Sequence, residues 1–93
     1  MAEHVRILFV AMFREIAGVR ETTEEITFGS TIRDVLSKLA EKYGKDFNEI
    51  INPETGQIDL GTLVMVNGKS IRRTDLELKD NDVVMLTVPF GGG

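Results

Sequence analysis

The chain has 93 residues, of which 42% are hydrophobic and 28% are charged, and its formal net charge is −4. This size and composition predict one globular domain with a single modest core. The acidic balance argues against a nucleic-acid-binding protein, and the absence of cysteine excludes disulfides, thiolate metal sites and a cysteine nucleophile.

Alternating side chains predict the first strand from Val5 to Phe13. The inward parity carries Val5, Ile7, Phe9, Ala11 and Phe13. The other parity begins with polar residues and then becomes apolar, in the order His4, Arg6, Leu8, Val10 and Met12. We therefore expect this strand to be covered on both faces or to present a binding face. The single histidine, His4, cannot build a zinc site alone, and no metal site is expected.

A second strand is predicted from Thr22 to Phe28, with Ile26 and Phe28 pointing into the core. Residues 14–18 break the alternation before it and end in Gly18, which suits a turn with positive φ. Because the connection is short, we expect the first two strands to pair antiparallel.

The most regular element is a helix capped by Ser30 or Thr31 and ended by Gly44. Its apolar residues follow the i, i+3, i+4, i+7 spacing and are Ile32, Val35, Leu36, Leu39, Ala40 and Tyr43. Residues 29–31 lack the Gly-Lys-Ser/Thr core of a phosphate loop, so a plain helix cap is favoured.

Residues 46–62 show no regular pattern, and Phe47, Ile50 and Ile51 are expected to tuck beneath them as a satellite of the core. A strand at Leu63–Val66, the hairpin signal Asn67-Gly68 and a short strand at Lys69–Ile71 follow. Residues 80–82 favour a solvated turn over a calcium loop, which needs a longer ligand pattern.

Val83 to Val88 forms the last predicted strand. The first and last strands are the most apolar, so we expect them to pair side by side and parallel at the centre of the sheet. The predicted class is α+β, with one helix covering one face of a mixed sheet. The predicted core contains Val5, Ile7, Phe9, Ile26, Phe28, Ile32, Val35, Leu36, Leu39, Val64, Val66, Val84 and Leu86.

This element order resembles the β-grasp arrangement of ubiquitin-like proteins. Residues 13–18 resemble the Arg-Glu-x-x-Gly segment of the MoaD/ThiS family, which includes the small subunit of molybdopterin synthase and the small archaeal modifier proteins. Residues 78–84, with Pro89 and Gly92-Gly93, resemble the Leu-x-Asp-Gly-Asp-x-Val…Pro-x-x-Gly-Gly ending of the same family. The likeness covers Val5 to Gly93. The chain departs from the family pattern with Asn81 where glycine is common, a bulky Phe90 and a third glycine, Gly91.

The resemblance implies a β-grasp domain over residues 1–88 and a flexible tail over residues 89–93. It also implies that an adenylating enzyme joins AMP to the carboxylate of Gly93, with Gly92 beside it. A sulfur donor then gives a thiocarboxylate, or a lysine amine of a target gives an isopeptide bond. The chain would not itself be an enzyme and would hold no cofactor, because the partner enzyme uses the ATP. A molybdopterin synthase large subunit or lysine-bearing targets are the further partners implied.

The outward parity predicts a docking patch on the open face of the sheet, made of Leu8, Val10, Met12, Met65 and Met85. Methionine is adaptable at binding surfaces. Phe90 is expected to join the partner contacts. The alternative is that residues 46–62 half-cover Met12 and Met65.

Two other functional classes stay open at this point. One is a ubiquitin-fold interaction domain that is never activated. The other is a stand-alone enzyme, which is disfavoured because Glu15, Asp34, Asp80 and Asp82 all suit helix or turn roles. Among activated carriers, sulfur for molybdopterin, sulfur for thiamine or transfer RNA, and lysine conjugation are not ranked. Residues 1–3 do not begin a signal peptide and no apolar run reaches about 18 residues, so we expect a cytoplasmic protein without a membrane span.

Overall fold

The computed structural model describes residues 2–89. Within this range the strands are β1 (Glu3–Phe9), β2 (Glu21–Ile26), β3 (Leu63–Val66), β4 (Lys69–Ile71) and β5 (Val83–Thr87). The helices are α1 (Met12–Ala17) and α2 (Ile32–Tyr43), and a 3₁₀ turn spans Lys45–Phe47. The strands form one sheet in the order β2-β1-β5-β3-β4. This is the β-grasp arrangement, and the predicted α+β class is confirmed.

The centre of the sheet is formed by β1 and β5, which run parallel, with Ile7 opposite Val84. The other described pairs are antiparallel. The predicted parallel pairing is therefore confirmed. Because β1 and β5 run in the same direction, the start of β1 and the end of β5 lie at opposite ends of the sheet.

Helix α2 covers one face of the sheet and begins at a capping box. The Asp34 amide donates to the Thr31 hydroxyl oxygen at 3.4 Å, and the Thr31 amide donates to the Asp34 carboxylate at 2.8 Å. These two amides, which have no partner within the helix, are thus satisfied by the capping box. At the other end of the helix, the Lys42 ammonium lies 3.1 Å from the carboxylate of buried Glu24. The hydrogen bond to Glu24 raises the pKa of Lys42 above its ordinary value.

The core between α2 and the sheet contains every residue predicted for it except Phe28. It also contains apolar residues from the connections, namely Phe13, Phe47, Ile50, Ile58 and Leu78. The rings of Phe9, Tyr43 and Phe47 meet with centroids 5.5 to 5.9 Å apart. Residues 46–62, although irregular, therefore close the core at the end of α2.

Phe28 is 95% exposed, so its predicted place in the core is wrong. Strand β2 ends at Ile26, two residues earlier than expected. The next four residues make a tight turn, in which the Ser30 amide donates to the Thr27 carbonyl at 3.0 Å. Gly29 has φ of 88°, which only glycine adopts readily, and this turn ends the strand alternation before Phe28.

The first strand also ends early, at Phe9, because a turn and α1 replace the predicted extension to Phe13. Phe13, Ile16 and Ala17 lie at i, i+3 and i+4, and all three pack against the core. Residues 14–17 therefore belong to a short helix rather than to a turn. Gly18 ends the helix with φ of 78°, which confirms the positive φ predicted for it.

The turn between β1 and α1 places Ala11 in an unfavourable conformation. The Phe13 amide donates to the Val10 carbonyl at 3.2 Å, and Ala11 has φ of 55° and ψ of −131°. These angles match the first central position of a type II′ turn, which normally holds glycine. Non-glycine residues in such regions are strained by about 1–3 kcal/mol.

Ala11→Gly should therefore raise the free energy of unfolding by about 0.5–1 kcal/mol, since relief of strain exceeds the extra chain entropy of glycine. Urea denaturation measures the change. Ala40→Gly in α2 is the matched control and should lower stability by about 1 kcal/mol, because its backbone is already helical. Equal losses from both substitutions would contradict the strain at Ala11.

The connection before β5 is fixed by side-chain acceptors. The Asp82 carboxylate accepts from the Lys79 amide and the Asn67 side-chain amide, each at 2.8 Å. The Asn67 side-chain oxygen in turn accepts from the Val83 amide at 2.9 Å. The hairpin after β3 is thereby tied to the first residue of β5, which sets where the last strand enters the sheet.

Within residues 2–89, no helix has both the length and the apolar character needed to cross a bilayer.

Candidate functional site

The site is built around β5, which carries the chain to its C-terminal segment. The strand lies between β1 and β3, and the Val10 amide extends the β1 pairing by donating to the Leu86 carbonyl at 3.0 Å. Val88 is half-buried against the core, and Pro89 is exposed. The predicted site residues Phe90, Gly92 and Gly93 lie outside the described residues.

The open face of the sheet, opposite α2, carries an apolar row across three adjacent strands. Leu8 on β1 is level with Met85 on β5, and Met85 is level with Met65 on β3. All three side chains are half-buried, and Val10, two residues beyond Leu8, is 39% exposed. The structure thus brings together the predicted residues Leu8, Val10, Met65 and Met85, hereafter the outer patch. None of them is fully buried, so the surface is accessible to a partner.

Three further residues extend the outer patch along the same face. They are half-buried members of β3 and β5 with the parity of Met65 and Met85, and they are Leu63, Val83 and Thr87. Strand alternation alone was sufficient to find them. The apolar surface therefore covers more of the sheet face than the methionine positions alone indicated.

Met12 does not belong to this row. It is the first residue of α1 rather than a strand residue, so its predicted place on the sheet face is wrong. Its side chain is 48% exposed and borders a groove whose other wall comes from the irregular loop, at Asp59, Gly61 and Thr62. The irregular loop thus faces Met12 across this groove.

A charged pair forms one edge of the outer patch. The Arg6 guanidinium donates to the Glu21 carboxylate from Nε at 3.2 Å and from Nη2 at 3.1 Å. Glu21 lies opposite Leu8 across β1 and β2. Both charged side chains are half exposed, so the pair adds little stability. An apolar centre with a polar rim is typical of protein–protein interfaces.

The Arg-Glu-x-x-Gly segment forms a second feature at this end of the sheet. Helix α1 packs against β1 and β5. A concavity of about 540 Å³ beside it is lined by Ala11, Arg14, Glu15, Gly18, Val19 and Arg20. Its two arginines outnumber its one acid, although the chain as a whole is acidic.

The ThiS family model matches residues 7–93, which include both motifs and the final glycines. The chain belongs to the ThiS family. The chain is similar to a molybdopterin synthase sulfur carrier subunit of Chlamydomonas reinhardtii. The two are 29% identical, and the alignment covers 96% of this chain and 98% of the relative. Small archaeal modifier protein 3 of Haloferax volcanii is 28% identical, with the same coverage.

The fold is also found in a solved structure. The putative molybdopterin converting factor, subunit 1, of Pyrococcus furiosus superposes with a TM-score of 0.76 and is 31% identical. The alignment covers 95% of this chain and 99% of that one. The chain is therefore a member of a family of small ubiquitin-fold sulfur carriers and modifiers.

Proposed function

We propose that this protein is a ubiquitin-like carrier that a partner enzyme activates at the carboxylate of Gly93. The observation that carries the proposal is that the family match runs through Gly92 and Gly93, while β5 anchors the root of that segment at the centre of the sheet. Glycines offer only backbone, so a narrow enzyme cleft can accept them. Fully extended, residues 90–93 could reach roughly 13 Å beyond Pro89.

The proposed activation needs one nucleophile from this chain. A Gly93 carboxylate oxygen attacks the α-phosphorus of ATP, pyrophosphate leaves, and an acyl-adenylate forms. Hydrosulfide-level sulfur then attacks the acyl carbon and AMP leaves, which gives the thiocarboxylate. If a lysine amine attacks instead, the products are an isopeptide bond and AMP. The chain supplies no catalytic side chain in either branch, and the partner enzyme binds the ATP.

The outer patch supplies the docking surface in this proposal. Leu8, Met65 and Met85 form an apolar row across β1, β3 and β5, and Met85 lies two residues before the end of β5. A partner seated on the row would receive the tail directly. The names of the relatives support both the molybdopterin and the modifier branch. In this proposal the partners are an adenylating enzyme and then a large synthase subunit or a lysine-bearing target.

Met65→Asp should weaken binding to the adenylating enzyme about tenfold or more, because docking would desolvate the new charge. The circular-dichroism spectrum should not change, since Met65 already contacts solvent. Titration calorimetry measures the affinity. Ser37→Asp is the matched control: Ser37 is exposed on α2, on the other side of the sheet from the outer patch, so the same charge there should have a small effect. Equal affinities for the wild type and Met65→Asp would remove the patch from the docking surface.

The carrier proposal is tested with the adenylating enzyme, ATP and sulfide. We expect ATP–pyrophosphate exchange that depends on this protein, followed by a mass change equal to the replacement of one oxygen by sulfur. Lysine-linked adducts of Gly93 in the native cell would assign the modifier branch. Absence of exchange with the cognate enzyme would leave only a ubiquitin-fold interaction domain that is not activated.

A further inference from the structure

Phe28 is the most exposed large apolar residue in the part of the chain that the structure describes. Its ring is 95% exposed, whereas the next such residue, Leu60, is 76% exposed. The turn that carries it is well fixed: the Thr27 amide donates to the Ser30 hydroxyl oxygen, and the Ser30 amide donates to the Thr27 carbonyl, each at 3.0 Å. The backbone at Phe28 is therefore held in a defined turn.

A surface groove of about 380 Å³ lies beside the ring. One wall is Phe28 and Gly29, and the other is the segment Glu77–Asp80. The walls are joined, because the Leu78 amide donates to the Ser30 carbonyl at 2.8 Å. Leu78 is itself buried and contributes an apolar base. The groove, hereafter the Phe28 groove, is thus already formed without a ligand.

The charges around the Phe28 groove are predominantly negative. Glu3, Glu77 and Asp80 line it, against one cation, Lys79. Asp80 is held in place by the His4 amide, which donates to it at 2.9 Å. Among residues 2–89, neither Glu3 nor Glu77 takes part in an ion pair. The groove therefore favours a cationic ligand.

The Phe28 groove and the proposed activation site lie at opposite ends of the sheet. The start of β1 pairs with the end of β2, where Glu3 is opposite Ile26, two residues before Phe28. The end of β1 pairs with β5, where Phe9 is opposite Leu86. Seven strand residues separate the two ends by about 20 Å. A ligand in the groove would leave the C-terminal segment accessible.

We propose that the Phe28 groove binds a basic segment of a partner protein, with an arginine or lysine side chain over the face of the Phe28 ring. Aromatic faces attract such cations, and arginine also stacks on them. Flanking basic residues of the segment would face Glu3 and Glu77. A second copy of this chain is a poor occupant, because the groove and the whole chain are both acidic.

The test is a chemical-shift titration of the full ¹⁵N-labelled chain with the synthetic peptide acetyl-Ala-Arg-Leu-Arg-Ala-Arg-amide. The control peptide has glutamine at each arginine position. We expect saturable shifts confined to the amides of residues 27–30 and 77–80 with the arginine peptide, and none with the glutamine peptide. Phe28→Ala should lower the affinity about tenfold, as expected for loss of an aromatic anchor.

Two further variants separate the contribution of the ring from that of general acidity. Leu60→Ala removes another exposed side chain that is also carried in a turn, at the other end of the sheet, and should not change the affinity. Phe28→Leu keeps an apolar side chain but removes the aromatic face, so it should weaken binding almost as much as Phe28→Ala. A melting curve for each variant checks that the domain stays folded.

Three results would overturn the proposal. The first is an unchanged affinity in Phe28→Ala, and the second is a set of shifts spread over all acidic residues of the surface. The third is concentration-dependent shifts at residues 27–30 without peptide, which would assign the groove to self-association. Each of these readouts is independent of ATP, so failure here and failure of the carrier proposal are distinguishable.

Discussion

A single residue added after Gly93, or the substitution Gly93→Val, should abolish ATP-dependent activation while the domain stays folded. An added residue moves the carboxylate by about 3.3–3.6 Å along an extended chain. Enzyme sites position reacting atoms tightly, and an error of about 1 Å can lower the rate about 100-fold. A valine side chain would in addition crowd a cleft shaped for backbone. ATP–pyrophosphate exchange with the adenylating enzyme measures the loss.

An extension at the other terminus is the matched control. β1 begins at Glu3, at the end of the sheet remote from the root of the C-terminal segment, because β1 and β5 are parallel. An N-terminal tag should therefore leave activation unchanged. The extended protein and the Gly93→Val variant should still bind the adenylating enzyme through the outer patch. Full activation of a protein that carries residues after Gly93, with no trimming back to Gly93, would refute the carrier proposal.

Most of the fold could be predicted because its main elements carry local signals. Helix α2 has a cap, a regular apolar spacing and a glycine stop, and each of these acts within a few residues. The hairpin after β3 follows from Asn67-Gly68, both of which have positive φ. The parallel pairing of β1 and β5 is not local, but their strongly apolar sequences indicated central strands.

The wrong predictions arose where two different local structures would bury the same residue. Phe13 is buried either as an inward strand residue or as the anchor of α1, so its burial could not distinguish the two. The difference was set by Ala11, whose positive φ has no sequence signal because alanine rarely adopts it. The predicted burial of Phe28 was wrong for a related reason. The strand alternation in the sequence continues through Phe28, but Gly29 allows the chain to turn after Ile26.

The candidate site could be predicted in part, because strand alternation is a geometric rule. It placed Leu8, Met65 and Met85 on one face, and the sheet register puts them in one row. It could not place Met12, whose position depends on the α1 turn. Nor could it indicate the Phe28 groove, which forms only when residues 77–80 pack beside the turn at Thr27–Ser30.

Leu36→Ala should lower the free energy of unfolding by about 2–5 kcal/mol. Leu36 lies on the buried face of α2 and has no solvent exposure, so truncation leaves a cavity against the sheet. A domain of this size is stable by only about 5–15 kcal/mol, so the loss is a large part of the total. Because about 1 kcal/mol shifts the melting temperature by roughly 4–8 °C, the change should be evident in thermal and urea denaturation.

Phe28→Ala is the matched control, because it removes a larger side chain from a solvent-exposed position. Since the Phe28 ring is 95% exposed, the substitution should change stability by less than about 0.5 kcal/mol. A variant lacking Gly92 and Gly93 should also unfold like the wild type, because terminal glycines have no side chains to pack. A large loss from Phe28→Ala together with a small one from Leu36→Ala would contradict the placement of the core. A large loss from Leu36→Ala together with a small one from Phe28→Ala would place Leu36 in the core and Phe28 on the surface, where a ligand can reach it.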